Sequence, residues 1–98
     1  MTAEEREALS LLANSEDAYM RVLADLAHLR ARKSADYDDH GVQLADYFPF
    51  GFVSYVQMIW VKTLRLRSLV DKDSVNEGVD DSLKDLINYA IFALMRNR

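Results

Sequence analysis

Val79-Asp80-Asp81-Ser82-Leu83-Lys84-Asp85-Leu86-Ile87-Asn88-Tyr89-Ala90-Ile91-Phe92-Ala93-Leu94-Met95 has its apolar residues at helical intervals. Val79, Leu83, Leu86, Ile87, Ala90 and Leu94 recur at three- and four-residue steps, so the spacing predicts a helix from about Val79 to Met95 with these on its main face. Glu77, Asp81, Asp85 and Asn88, spaced by four, four and three, stack along a side roughly opposite that face. The polar side runs on into Phe92, and Tyr89 also lies off the main stripe. The second half of the helix is therefore apolar nearly all round and needs cover from two sides. Carboxylates and an amide in line suit a hard cation such as Mg²⁺. The same acids also suit a solvated first turn, where a helix N-terminus favours negative charge.

Upstream, Asp71 to Gly78 is rich in turn residues, and a second helix is predicted from about Phe52 to Val70. Its apolar residues (Val53, Val56, Ile59, Trp60, Leu64, Leu66, Leu69) cover most of the circumference. Ser54, Gln57, Lys62, Arg65 and Ser68 form a polar sector. Antiparallel packing would set Lys62 and Arg65 opposite Asp81 and Asp85. Two readings stay open there. The pairs are salt bridges locking the helices together, or the cations are phosphate contacts beside carboxylate-held Mg²⁺.

Ser34 to Gly51 reads as a structured loop, with Asp36, Asp38, Asp39, His40, Gly41, Asp46 and Pro49 and no lasting periodicity. Asp36 to Gly41 imitates the start of a calcium-binding EF-hand loop. The match fails at His40, Leu44 and Tyr47, the last standing where a bidentate glutamate is needed. Neither His28 nor His40 has a nucleophile partner in its surroundings, which argues against a hydrolase triad. Tyr47, Phe48, Phe50, Phe52, Tyr55 and Trp60 crowd into one short stretch. Such aromatics sandwich a nucleobase, build a core or cover an oligomer surface.

At the N-terminus, Thr2 and Glu5 have capping-box spacing, which starts a helix at Ala3. Ala8, Leu12, Tyr19, Val22, Leu26 and Leu29 continue a helical stripe, with Arg30, Arg32 and Lys33 expected in the last turn. Asn14-Ser15-Glu16-Asp17 is a good capping sequence. It splits the run into a short and a long helix, or one helix continues from residue 3 to about 33. The expected fold is all-α: a small antiparallel helical bundle of three long helices in a single domain, residues 1–98, with a short N-terminal fourth if the run splits.

Composition agrees. Half of the 98 residues are hydrophobic and 29% are charged, as in a chain with a packed core. Three glycines and one proline are too few for the turns of a β-sandwich or barrel. The absence of cysteine excludes disulfides, a thiol nucleophile and sulfur-ligated zinc. A net charge of −4 argues against direct DNA binding. The apolar stretch Tyr47 to Val61 is shorter than the roughly 20 residues of a membrane span. The acidic start, Met1-Thr2-Ala3-Glu4-Glu5, lacks the order of a secretion signal. A soluble cytoplasmic protein, with no membrane partner, is expected. So many apolar side chains in so small a bundle also predict a homodimer or higher oligomer.

The segments Lys33-Ser34-Ala35-Asp36-Tyr37, Lys62 with Arg65, and Asn76-Glu77-Gly78-Val79-Asp80-Asp81-Ser82-Leu83-Lys84-Asp85-Leu86-Ile87-Asn88-Tyr89-Ala90 together resemble a known pattern. It is that of the small α-helical nucleotide-modification-associated domain of bacteriophages, often labelled MazG-like. The pattern is K-x-x-D-Y-G, a helix with K-x-x-R, and N-E-[SG]-x-x-D-[ST]-L-x-D-L-x-x-Y-A. It covers roughly residues 30–95, and its last helix is the most specific part. The resemblance implies an all-α nucleotide-handling protein, by analogy with pyrophosphohydrolases that hold Mg²⁺ through helical acids. Carried over by position, Lys33, Asp36, Tyr37, Lys62 and Arg65 would bind nucleotide, and Glu77, Asp81 and Asp85 would hold Mg²⁺.

The chain departs from these patterns in two places. Asp38 stands where the family has glycine. The pyrophosphohydrolases pair E-x-x-E on one helix with E-x-x-D on the next, whereas Glu4-x-x-Glu7 and Glu77-x-x-Asp80 lie at opposite ends of this chain. The expected function is thus nucleotide binding by a phage-type protein in an infected bacterial host, with Mg²⁺-dependent pyrophosphohydrolase activity as its enzymatic form. The alternative is a non-enzymatic phage accessory or anti-defence protein that sequesters a nucleotide signal or binds a host protein.

Overall fold

The computed structural model describes residues 1–39, 41, 44–70 and 77–96, with side chains at 1–33, 41, 46–70 and 78–96. Four α-helices follow one another: α1 (Ala3–Ala13), α2 (Ala18–Asp39), α3 (Phe52–Leu69) and α4 (Glu77–Arg96). A single 3-10 turn, Leu44–Tyr47, precedes α3. Among the described residues there is no strand, so the all-α expectation holds. The chain forms two compact units, Met1–Leu44 and Ala45–Arg98.

In the first unit, α1 packs on α2. The capping box is formed as the sequence predicts. The Glu5 backbone N–H donates to Thr2 Oγ1 at 3.1 Å, and the Thr2 N–H donates to Glu5 Oε1 at 2.9 Å. The bond from the Thr2 backbone, helped by the Thr2 hydroxyl, holds the Glu5 carboxyl below its ordinary value. A carboxylate with a depressed folded value supports the fold above the ordinary carboxylate range and loses that support as pH falls through the depressed value. Thr2→Ala is expected to cost about 1 kcal/mol, read as a shift in the denaturation midpoint. No shift at all would mean the box contributes nothing.

Asn14–Asp17 does split the N-terminal run. Asn14 Nδ2 donates to the Ser10 carbonyl at 2.8 Å and closes α1, while Asp17 Oδ1 accepts from the Tyr19 N–H at 2.9 Å and opens α2. Short polar side chains offer backbone groups partners that compete with a continuous helix. An open groove of about 510 Å³ between the two helices is lined from Met1 to Leu9 on one side and from Ala27 to Ala31 on the other. The start of α1 therefore lies beside the middle of α2, as in an antiparallel hairpin.

Helix α2 corrects one expectation. It runs through Asp39, so Ser34–Asp39 is helix rather than loop, and Arg30, Arg32 and Lys33 are not in its last turn. No glycine or proline interrupts the segment before Gly41, whose φ of +68° favours glycine. Asp36, Asp38 and Asp39 thus have helical backbones, which a calcium loop does not.

In the second unit, α3 and α4 pack together and run antiparallel. Lys62 meets Asp85 at mid-helix. At one end, a Cβ built on Gly51 would approach Arg96 Nη2 to 3.3 Å. Gly51 caps α3 at φ +70° and ψ −140°, a conformation essentially confined to glycine. Ser54 Oγ accepts from the Phe50 N–H at 3.0 Å and steadies the entry to the helix. Helix α4 begins two residues before the predicted Val79, at Glu77.

The core of this unit is aromatic. Phe48 stacks on Tyr55 with centroids 4.2 Å apart, and Tyr89 and Phe92 meet Phe48 edge-on. This corrects the face expected for α4. Its buried residues are Ser82, Asn88, Phe92 and Ala93, whereas of the aliphatic stripe Val79, Leu86, Ile87 and Ala90 are only partly buried and Leu83 and Leu94 are 44% and 60% exposed. Aromatic area decides the matter: rings projecting from residues 48 and 55 find their partners at 89 and 92, and the seam follows them.

Candidate functional site

The antiparallel register of α3 and α4 places the charged halves of the two helices level with each other. Lys62 Nζ lies 3.0 Å from Asp85 Oδ2, with both side chains about a quarter exposed. That is the first of the two cross-helix couples expected from sequence. Arg65, one turn beyond Lys62, and Asp81, one turn before Asp85, are both exposed and make no ion pair with each other. Their charges face solvent on neighbouring turns and remain accessible to a ligand.

One turn beyond Asp85, on the same side of α4, stands Asn88. It is only 5% exposed, and its Nδ2 has no hydrogen-bond partner. A buried amide without a partner is uncommon in a folded protein, since it forfeits its hydration and gains nothing in return. Beyond Asn88 the seam becomes aromatic, with Tyr89 and Phe92 against Phe48 and Tyr55. Along α4 the order is therefore exposed acid, ion-paired acid, buried amide, rings.

The remaining candidates lie elsewhere or beyond the described side chains. Lys33 sits on α2 in the first unit, half-buried. Asp36 and Tyr37 lie on the last turns of α2, and Glu77 is the first residue of α4. The side chains of these three are outside the described residues. Glu4 and Glu7 are exposed on α1, and Glu4 serves the acidic first turn of that helix. His28 is an exposed residue of α2, and His40 is outside the described residues. Among the described residues, no three His, Cys, Asp or Glu side chains gather closely enough to hold a metal by themselves. Of the crowded aromatics, Phe48 and Tyr55 are core, while Tyr47, Phe50, Phe52 and Trp60 are at least half exposed.

Sequence reasoning aligned Asn88 with the acids as a cation ligand but gave no sign that it is buried. Its burial and its lack of a partner depend on what packs around it, which no spacing rule reports. No described helix is long and apolar enough to cross a membrane.

No curated protein and no solved structure matches the chain at a significant level. A family model does match, over residues 33–96, more than half of the chain. The matched segment starts at Lys33 and takes in the end of α2, the 3-10 turn, α3 and α4. It contains Lys62, Arg65, Asp81, Asp85 and Asn88, and it bears out the nucleotide-modification-associated part of the resemblance seen in the sequence. The chain belongs to the nucleotide modification associated domain 1 family.

Proposed function

We propose that this protein binds a nucleotide through its phosphates at the α3–α4 seam and is a Mg²⁺-dependent, MazG-like nucleoside triphosphate pyrophosphohydrolase. The carrying observation is the Lys62–Asp85 pair, with Arg65 and Asp81 exposed on the adjoining turns. An ammonium and a carboxylate side by side are what a phosphate–Mg²⁺ unit requires of a protein. The donor set fits the ion. Mg²⁺ is commonly held by one or two carboxylates, its other positions going to water and phosphate oxygens. Asp81 and Asp85 would hold it, joined by Glu77 on the family pattern. When bound, the ion supplies charge neutralisation and an activated water.

Lys62 and Arg65 neutralise and orient the phosphate oxygens. The net reaction forms one P–O bond from water to the α-phosphorus and breaks the α–β bridge. The products are a nucleoside monophosphate and pyrophosphate, with a proton passed to solvent. The family pattern alone supports nucleotide-binding roles for Lys33, Asp36 and Tyr37, which single substitutions test one at a time. Incubation with a panel of NTPs and dNTPs, with and without Mg²⁺, tests the activity. Pyrophosphate release that depends on Mg²⁺ is the expected result, and no turnover with any member of the panel rejects the enzyme reading.

A second, non-enzymatic reading rests on exposed apolar surface. Phe50 is 78% exposed, Val53 62% and Trp60 60%. On this reading the protein is a phage accessory or anti-defence factor in the bacterial cytoplasm that sequesters a nucleotide or binds a host protein. Tight nucleotide binding without turnover selects the sequestering form. In either reading the exposed surface is expected to be covered in a homodimer or higher oligomer. Light scattering at micromolar concentration should then give at least twice the chain mass of 11.3 kDa, and a monomer mass would reject the oligomer.

A further inference from the structure

Asn88 is an unusual residue to find in this position. Its amide is 95% removed from solvent by its 5% exposure, and Nδ2 has no partner among the described residues. An apolar residue of similar size would avoid the desolvation cost, so the amide lowers the stability of the free protein. The partner that Nδ2 lacks is an acceptor oxygen or ring nitrogen.

The surroundings indicate what brings it. Lys62, Arg65, Asp81 and Asp85 lie on one side of Asn88 along the seam, and the rings of Tyr89, Phe92, Phe48 and Tyr55 on the other. A nucleotide has the same polarity, charged at its phosphates and flat and aromatic at its base. Asn88 is about 4.5 Å along the helix axis from Asp85, one turn toward the rings. A ligand with its phosphates at Lys62 places its less hydrated end toward Asn88. An Asn amide offers a donor and an acceptor side by side, suited to the hydrogen-bonding edge of a base.

We propose that Asn88 recognises the nucleobase, its Nδ2 donating to a carbonyl oxygen or ring nitrogen on the edge of the base. The inference rests on the nucleotide reading above and adds to it the part of the ligand that is discriminated. It makes Asn88 a specificity residue rather than a catalytic one.

Two measurements separate this role from a structural one. The first is the thermal stability of the free full-length protein, wild type and Asn88→Leu. A base-reading amide predicts equal or greater stability for the variant, because an unsatisfied polar group has been removed. A large loss of stability would show that Asn88 holds the apo fold together and would overturn the proposal.

The second is binding of the four NTPs, the four dNTPs and inorganic triphosphate, each with Mg²⁺, to wild type, Asn88→Ala and Asn88→Leu. The preferred nucleotide should bind both variants about ten- to hundredfold more weakly, while inorganic triphosphate binds all three proteins equally. Equal loss for nucleotide and triphosphate would assign Asn88 to the phosphates and reject base recognition. Undiminished nucleotide binding by both variants would reject any ligand role and leave the nucleotide reading intact. A wild-type protein that binds none of the nine probes would reject both together.

Discussion

Phe92→Ala is expected to destabilise the protein by about 3–4 kcal/mol, close to the upper range for a single core truncation. Phe92 is 7% exposed and sits edge-on to Phe48 and Tyr89, at centroid separations of 6.3 and 6.4 Å. Truncation removes a ring from a four-ring cluster and leaves a cavity that neighbouring helices fill only in part. Domains of this size have roughly 5–15 kcal/mol in total, so a large share of the stability is lost. A fall in Tm of more than about 10 °C is the corresponding thermal readout.

Leu94→Ala is the control, made two residues away on the exposed stripe. Leu94 is 60% exposed, so its truncation should cost well under about 1 kcal/mol within this unit. If Leu94→Ala proved the more damaging of the two, the aromatic seam would not be the core of this unit. The aliphatic face read from the sequence would then be restored.

The second large effect concerns turnover. On the proposed pyrophosphohydrolase reading, replacing Asp81 and Asp85 together by Asn is expected to reduce Mg²⁺-dependent pyrophosphate release by at least about 10³-fold, the equivalent of several kcal/mol of charge stabilisation. Asparagine keeps the shape and removes both charges, so helix α4 should persist. The Lys62–Asp85 pair is about a quarter exposed on each side, and its loss should cost no more than about 1 kcal/mol. Circular dichroism with unchanged helical signal would confirm that the variant is folded. Turnover surviving the double substitution would place the chemistry on other residues and reject the Mg²⁺ assignment to Asp81 and Asp85.

The residues of the candidate site were legible in the sequence, but their relationships were only partly so. Helical spacing set Asp81, Asp85 and Asn88 on one side of one helix, and Lys62 with Arg65 on another. The expectation that α3 and α4 run antiparallel made Lys62 and Asp85 partners, and they are. Whether Arg65 and Asp81 would also pair depended on side-chain reach and solvent, and both are exposed with no ion pair between them among the described residues.

Local chemistry determined the start of α1, the break at Asn14–Asp17 and the extents of α3 and α4 to within two residues. Each depends on bonds that a residue makes within its own turn: Thr2 with Glu5, Asn14 with Ser10, Asp17 with Tyr19. The acidic run after Lys33 misled because Asp and Asn residues favour turns only where nothing else extends the helix. Here α2 continues to Asp39, and Gly41 has a positive φ. Tertiary packing alone decided which face of α4 is buried. An aliphatic stripe and an aromatic-polar stripe on one helix both satisfy the period of 3.6, and periodicity cannot rank them. Phe48 and Tyr55, distant in sequence, chose the side bearing Tyr89 and Phe92, and in doing so enclosed Asn88.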